Sequence, residues 1–221
     1  VNRNPHIITV DGPAGAGKST AARDIAQALG YRHIDTGSMY RAAAWGAYRQ
    51  GIPLDDERAL KTAVARMRFR FSNGSIFLNG TNVTDLIRSP EAGQAASQIS
   101  THPSVRTILV RRQQRLAREG RVVMEGRDIG TIVLPRAPMK FFLDASPEER
   151  GRRRWEELKG SGVKKNLKDI TEDIRARDYR DRTRTVGPLR PAADAVLVDT
   201  THNNRDDVKK ILLGFIKKKW R

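Results

Sequence analysis

The chain has 221 residues, 38% of them hydrophobic, no cysteine, and a formal net charge of +17. That length and apolar content suit one α/β domain with a small insertion, and they exclude wholesale disorder. The missing cysteines exclude a disulfide framework and thiolate metal sites, and no apolar run reaches the roughly 18 residues needed to cross a membrane.

The first segment, His6-Ile7-Ile8-Thr9-Val10, is apolar and β-branched and predicts a buried strand. A glycine-rich stretch over 12–17 follows. Ala21, Ala22, Ile25, Ala26 and Leu29 then recur at helical spacing, so a helix is expected over 18–29, stopped by Gly30. A short strand is expected over 31–34 and an alanine-rich helix over 38–50, ended by Gly51. Asp55 or Asp56 caps a helix running to about Met67. The character changes at Arg68: two Asn-Gly pairs, Asn73-Gly74 and Asn79-Gly80, separate short apolar stretches and predict antiparallel hairpins. Ser89-Pro90-Glu91 opens a helix expected to continue to Gly120. Val122-Val123-Met124 and Phe141-Phe142-Leu143 predict two more buried strands. Ser146-Pro147-Glu148-Glu149 predicts a capping box opening a helix rich in arginine, and Gly160-Ser161-Gly162 a flexible break. A second charged helix is expected over 169–184, a last strand over 195–198, and a closing helix whose apolar face is Val208, Ile211, Leu212, Phe215 and Ile216. Strands alternating with helices predict a parallel sheet covered on both faces, with ligands bound beyond the carboxyl ends of the strands.

Gly12-Pro13-Ala14-Gly15-Ala16-Gly17-Lys18-Ser19 falls at such an end and fits the phosphate-loop pattern. Small residues let backbone N–H groups approach phosphate oxygens, and the helix that follows points its positive end the same way. Lys18 reaches the transferring phosphate, and the Ser19 hydroxyl can ligate Mg²⁺. Gly12, Pro13, Ala14, Gly15, Ala16, Gly17, Lys18, Ser19 and Thr20 are therefore the expected ATP contacts, with Asp35 or Asp128 as the carboxylate that orients the metal. No Asn-Lys-x-Asp guanine-reading motif is present, which sets aside the regulatory GTPases. Glu125, after an apolar strand, could serve a motor-type ATPase, but its neighbours point elsewhere.

Two clusters point to a second anion pocket: Asp35-Thr36-Gly37-Ser38-Met39-Tyr40-Arg41 and Glu125-Gly126-Arg127-Asp128-Ile129-Gly130-Thr131. Each follows an apolar strand, and each sets an arginine beside a carboxylate. With Ala95-Ala96-Ser97-Gln98 and Arg177-Asp178-Tyr179-Arg180-Asp181-Arg182, these motifs resemble the bacterial-type cytidylate kinases, within the nucleoside monophosphate kinases. The resemblance runs along essentially the whole chain, and the hairpins near 68–84 look like the insertion of that family. It implies a P-loop kinase fold with a five-stranded parallel sheet, a small antiparallel β insertion and a helical lid. The organisation it implies is one kinase domain, with its core at 1–67, 101–150 and 185–221, a monophosphate-binding insertion at about 68–100, and a lid at about 150–167.

The resemblance also implies roles. Ser97, Arg106 and Asp128 look like the cytosine-reading set, and Arg41 and Arg127 like the clamp on the CMP phosphate. Arg177 and Asp181 look like sugar contacts with Arg184 nearby, and Thr36 lies on the same side. Lys18, Arg41, Arg127 and the lid arginines Arg150, Arg153 and Arg154 would neutralise the two polyanions. The expected partners are ATP with Mg²⁺ and CMP or dCMP, for a cytoplasmic monomer with no membrane partner and no specific nucleic acid. Two rival readings are a kinase for another small acceptor and a nucleic-acid binder using the +17 charge. The second leaves the phosphate loop without a purpose, and aromatics at 6% make a poor base-stacking platform.

Overall fold

The computed structural model describes residues 6–72, 74–159 and 165–220. Its elements run β1 (Ile7–Asp11), α1 (Lys18–Leu29), β2 (Arg32–Asp35), α2 (Thr36–Tyr48), α3 (Glu57–Arg66), β3 (Phe69–Ser72), β4 (Ser75–Leu78) and β5 (Thr81–Asn82). They continue with α4 (Pro90–Ile99), α5 (Pro103–Ala117), β6 (Val122–Gly126), a π-helical turn (Ile129–Val133), β7 (Met139–Asp144), α6 (Pro147–Leu158), α7 (Leu167–Thr183), β8 (Val196–Asp199) and α8 (Arg205–Lys219). The chain divides into two compact units. One holds the chain up to His33 together with everything from Gly120 onward; the other is Ile34–Glu119.

The five-stranded sheet has the order β2-β6-β1-β7-β8. Strand β1 pairs parallel with β6 on one side and β7 on the other, so Ile8 lies beside both Val123 and Met139. Central parallel strands are buried on both faces, which is why β1 and β6 read as apolar runs and not as alternating patterns. In this first unit Ala22, Ile25 and Ala26 of α1 meet Val208, Leu212 and Ile216 of α8 over Ile8, Val10, Val123 and Phe141. Gly30 ends α1 at φ 65°, its N–H satisfying carbonyls of the last turn. A reciprocal capping box of Asn204 and Asp207 opens α8.

In the second unit α2 to α5 and the antiparallel sheet β3-β4-β5 enclose Met39, Ala43, Leu60, Val64, Ile76, Leu78, Ile99 and Leu109. The alanines of α2 let the sheet come close. At Gly46 a side chain would meet Leu78 and Met67 at 2.8 Å. Asn79 and Gly80 adopt positive φ between β4 and β5, as the expected hairpin turn requires. The other turn is described only from Gly74, since Asn73 lies outside the described residues.

Several local expectations are corrected. The single helix expected from Ser89 to Gly120 is two helices, because Pro103 has no N–H to donate and holds His102 in extended backbone, φ −78° and ψ 116°. Helix α2 begins at Thr36, not residue 38, because Asp35 caps it by accepting the Ser38 N–H. Helix α7 begins at Leu167 on an Asn166 cap. Ser146 caps α6 by accepting the Glu149 N–H, but the expected box is not reciprocal: Ser146 N–H donates to Thr201 Oγ1, and Arg152 and Arg153 occupy the Glu149 carboxylate. The π-helical turn had no sequence signal. The expected break at Gly160-Ser161-Gly162 lies outside the described residues.

Candidate active site

In the first unit β1 ends at Asp11, and the chain turns sharply at Gly12, φ 146°. A Cβ there would stand 1.9 Å from the Leu143 carbonyl oxygen, backbone that cannot yield. The first glycine of the motif is thus dictated by the neighbouring strand. Gly12→Ala is expected to cost about 4 kcal/mol or more, combining the clash with backbone strain, and a urea titration checks it. A loss under about 1 kcal/mol would show that the loop moves aside freely.

The loop beyond Gly12 is held by its carbonyls. Lys18 Nζ donates to Pro13 O at 2.6 Å, Arg150 Nη1 to Ala14 O at 3.2 Å, and Thr200 Oγ1 to Ala16 O at 3.1 Å. In a planar trans peptide the C=O and the next N–H point in opposite directions. Anchoring these oxygens therefore turns the N–H groups of Ala14, Gly15 and Gly17 away from the anchoring side chains. Gly15 and Gly17 accommodate this at φ 78° and 79°. Helix α1 starts at Lys18 directly behind them. Ser19 and Thr20 are exposed at its first turn, whereas Lys18 is buried.

A carboxylate meets Ser19, but it is neither of the two expected. Ser19 Oγ donates to Glu125 Oε2 at 2.7 Å, while His33 Nε2 lies 2.8 Å from Glu125 Oε1. Burial works against ionisation of Glu125. The His33 hydrogen bond, the Lys18 charge and the Ser19 hydroxyl outweigh it and hold the carboxyl below its usual range. Asp35 instead accepts from Arg41 and the Ser38 N–H.

Asp11 also lay outside the expected set. Its carboxylate accepts the N–H groups of Ile129 at 2.8 Å and Gly130 at 2.7 Å, pinning the start of the π-helical turn behind Asp128. Gly130 fits there because a Cβ would press on Thr9 Oγ1 at 3.1 Å and Asp11 Oδ2 at 3.3 Å. Burial pushes the Asp11 carboxyl up from 3.8 to about 7, against the lowering effect of those two hydrogen bonds. An acid whose folded pKa is raised holds more protons folded than unfolded, so its contribution to stability falls as pH rises from about 4 to 7. Asp11→Asn removes that slope. The variant is expected to gain stability relative to the parent across this window in denaturant titrations at pH 4, 5.5 and 7. A difference independent of pH would show that Asp11 is ionised throughout.

Beyond β6, Arg127 Nε donates to Asp181 Oδ2 at 3.1 Å. Arg177 and Arg184 lie 4.0 and 3.9 Å from the same carboxylate, and Arg184 also donates to Gly187 O. Burial opposes ionisation of Asp181, but the charges of Arg127, Arg177 and Arg184 prevail and hold it below the usual range. Asp128 is buried beside this cluster in sequence, and its backbone carbonyl accepts the N–H groups of Ile132 and Val133. Strands β1 and β6 are adjacent and parallel, so the phosphate loop and Arg127-Asp128 leave the same edge of the sheet.

The three arginines expected in a lid differ sharply. Arg150 is 2% exposed, and each guanidinium nitrogen is engaged, by Ala14 O, Ala145 O and Asp178. Arg153 bonds Glu149 and the Thr200 carbonyl, and its Nη1 would lie 3.9 Å from a Cβ at Gly17. Arg154 is half-buried and pairs with Glu157 three residues along α6.

In the second unit Arg41 Nη2 donates to Asp35 Oδ2 at 2.8 Å, and its buried Nε–H has no hydrogen-bond partner. Thr36 and Arg106 are buried, Ser97 is half-buried on α4, and the Arg106 guanidinium lies 6.0 Å from the Tyr40 ring. Sequence reasoning missed Asp11, His33, Glu125 as the partner of Ser19, and Thr200. Two signals were available: Asp11 stands directly before Gly12, and Glu125 ends an apolar strand, a place already noted for an acidic residue.

Comparison with known proteins gives the family. The family profile of cytidylate kinase matches residues 8–218. The chain is 45% identical over 214 residues to a cytidylate kinase of Syntrophotalea carbinolica, covering 95% of this chain and 91% of that one. It is 43% identical over 216 residues to a cytidylate kinase of Halalkalibacterium halodurans, covering 96% and 97%. Among solved structures, a gluconokinase from Sinorhizobium meliloti shares the fold at a TM-score of 0.51 and 18% identity, over 98% of this chain and 94% of that one. With a phosphate loop and an arginine cluster at one sheet edge, and a match along nearly its whole length, the chain belongs to the cytidylate kinase family.

Proposed function

We propose that this chain transfers the γ-phosphate of ATP to CMP and dCMP, giving CDP and dCDP for pyrimidine nucleotide metabolism. The observation that carries the reading is Arg127, held by Asp181 and next to Asp128, just past the end of the strand beside the one that delivers the phosphate loop. In this reading Arg127 is the anion clamp and Asp128 the base-reading carboxylate, and both leave the sheet edge from which the phosphate loop also leaves. The acceptor needs no strong base, because a phosphate monoester has a second pKa near ~6 and is already dianionic in part at neutral pH. What remains is repulsion between two polyanions. Lys18, Arg41, Arg127, Arg153 and Arg154 neutralise it and hold the reacting groups in line.

Ser97, Arg106 and Asp128 are proposed to read cytosine, with Arg177, Asp181, Arg184 and Thr36 serving the sugar-phosphate. Cytosine offers an amine donor, which a carboxylate accepts, and two acceptors, which Arg and Ser satisfy. Uracil would set a carbonyl against Asp128, so UMP is disfavoured. The residues present fit Mg²⁺: Ser19 and Glu125 supply hard oxygens beside the loop. No group of three or more His, Cys, Asp or Glu able to hold a metal occurs among the described residues. When bound, it would neutralise charge on the transferring phosphate.

The test is ADP formation from ATP and Mg²⁺ with CMP, dCMP, UMP, AMP or GMP supplied separately. Fast turnover with CMP and dCMP, slow with UMP and negligible with purines supports the reading. Comparable rates with AMP or GMP would remove Asp128 as the selecting group.

A further inference from the structure

Arg150 was expected among the lid arginines that neutralise the two polyanions, yet its guanidinium is turned wholly into the protein. Nε donates to Ala145 O at 2.9 Å, Nη1 to Ala14 O at 3.2 Å, and Nη2 to Asp178 Oδ2 at 2.5 Å. Two of these partners matter. Ala14 O belongs to the phosphate loop, and drawing it outward aims the Gly15 N–H the opposite way, toward the anion side. Asp178 belongs to α7, where it is buried with Oδ1 lacking any hydrogen-bond partner. Arg150 thus compensates a buried carboxylate and shapes the loop with the same planar group.

One turn further along α7 stands Asp181, which holds Arg127 and lies close to Arg177 and Arg184. Residues three apart share a helix face, so whatever fixes Asp178 also fixes the azimuth of Asp181. Helices α6 and α7 are in close contact at the next residue. A Cβ on Gly151 would clash with Thr171 Oγ1, so the two helices approach closely there. Gly15 is pressed on the same arginine, with Arg150 Cβ 3.1 Å from where its own Cβ would stand.

We propose that Arg150 is a positioning residue, and that the Ala14–Arg150–Asp178 link couples filling of the phosphate loop to the order of the arginine cluster on α7. Anion binding at the loop fixes the Ala14–Gly15 peptide, which fixes Arg150, which fixes Asp178 and the turn carrying Asp181. ATP therefore preorganises the residues assigned to the acceptor. That last assignment rests on the CMP kinase reading; the coupling itself does not. Lysine cannot replace arginine here, because one ammonium cannot span Ala14 O, Ala145 O and Asp178 with the geometry of the fork.

The test is hydrogen exchange of the full chain with and without a nonhydrolysable ATP analogue and Mg²⁺, for the parent, Arg150→Lys and Asp178→Asn. In the parent the analogue is expected to slow exchange about tenfold in peptides covering 177–184 as well as 12–20. In both variants protection is expected to persist over 12–20, which reports folded and ligated protein, and to vanish over 177–184. Protection of 177–184 that survives in either ligated variant, or that is absent from the parent, would overturn the coupling. A second arm titrates CMP with the analogue present and absent. The analogue should tighten CMP binding severalfold in the parent only, and the double variant should be no worse than either single one. Loss of α7 protection in the variants, with no CMP binding by the parent, would uphold the coupling and sink the choice of CMP.

Discussion

Lys18→Ala is expected to lower turnover about a thousandfold or more while the protein stays folded. The magnitude follows from removing a fixed cation from a transferring phosphate in a site where positioned charge supplies most of the catalysis. Structurally the ammonium donates to Pro13 O at 2.6 Å within its own loop, so it is already placed at the loop entrance to the helix. Its loss also frees that carbonyl and removes a positive charge that favours ionisation of Asp11 and Glu125. Stability should fall by about 1 kcal/mol, the worth of one hydrogen bond. Coupled ADP release gives kcat, and thermal unfolding by circular dichroism confirms the fold. A folded variant with more than about a tenth of the parent kcat would remove Lys18 from the chemistry and the phosphate loop from the active site.

The second large effect is expected at Asp128. Asp128→Asn replaces an acceptor by a group that donates as well, so kcat/KM for CMP should fall about a thousandfold, in line with sites whose buried polar groups are left mismatched. The KM for ATP should change by less than about threefold, and the ratio of UMP to CMP use should rise. The fold should survive, because the π-helical turn uses the backbone carbonyl of Asp128, and its neighbours Ile129 and Gly130 are held by Asp11. Steady-state kinetics with each nucleotide varied in turn separates these effects. Equal losses toward ATP and CMP would assign Asp128 to the fold or to the metal.

These two residues also mark what the sequence makes legible. The phosphate loop is local: its pattern, the apolar run before it and the periodic helix after it lie within a few turns of chain. The hairpins are local too, and β3, β4 and β5 pair as the Asn-Gly spacing suggests. What escaped is assembled across distance. Ser19 and Glu125 are 106 residues apart, and His33 and Glu125 are 92 apart, so no local pattern joins them. Arg177 and Arg184 flank Asp181 at helical spacing and can be read directly, whereas Arg127 reaches the same carboxylate from 54 residues away. Proline at 103 was a legible break that helical periodicity on either side obscured. The basic excess gains a partial explanation as well. Arg127, Arg177 and Arg184 converge on one buried aspartate, a charge balance that leaves the cluster net positive and suited to an anionic ligand.

Phosphate transfer to CMP is tested most directly by following the label from ATP carrying a radioactive γ-phosphate, with CMP and Mg²⁺ present and the products separated by chromatography. The account predicts label in the β-phosphate of CDP, appearing at the rate at which ADP forms. Label released as inorganic phosphate, with CMP unchanged and ADP still forming, would contradict it and make the chain an ATPase whose arginine cluster serves another ligand.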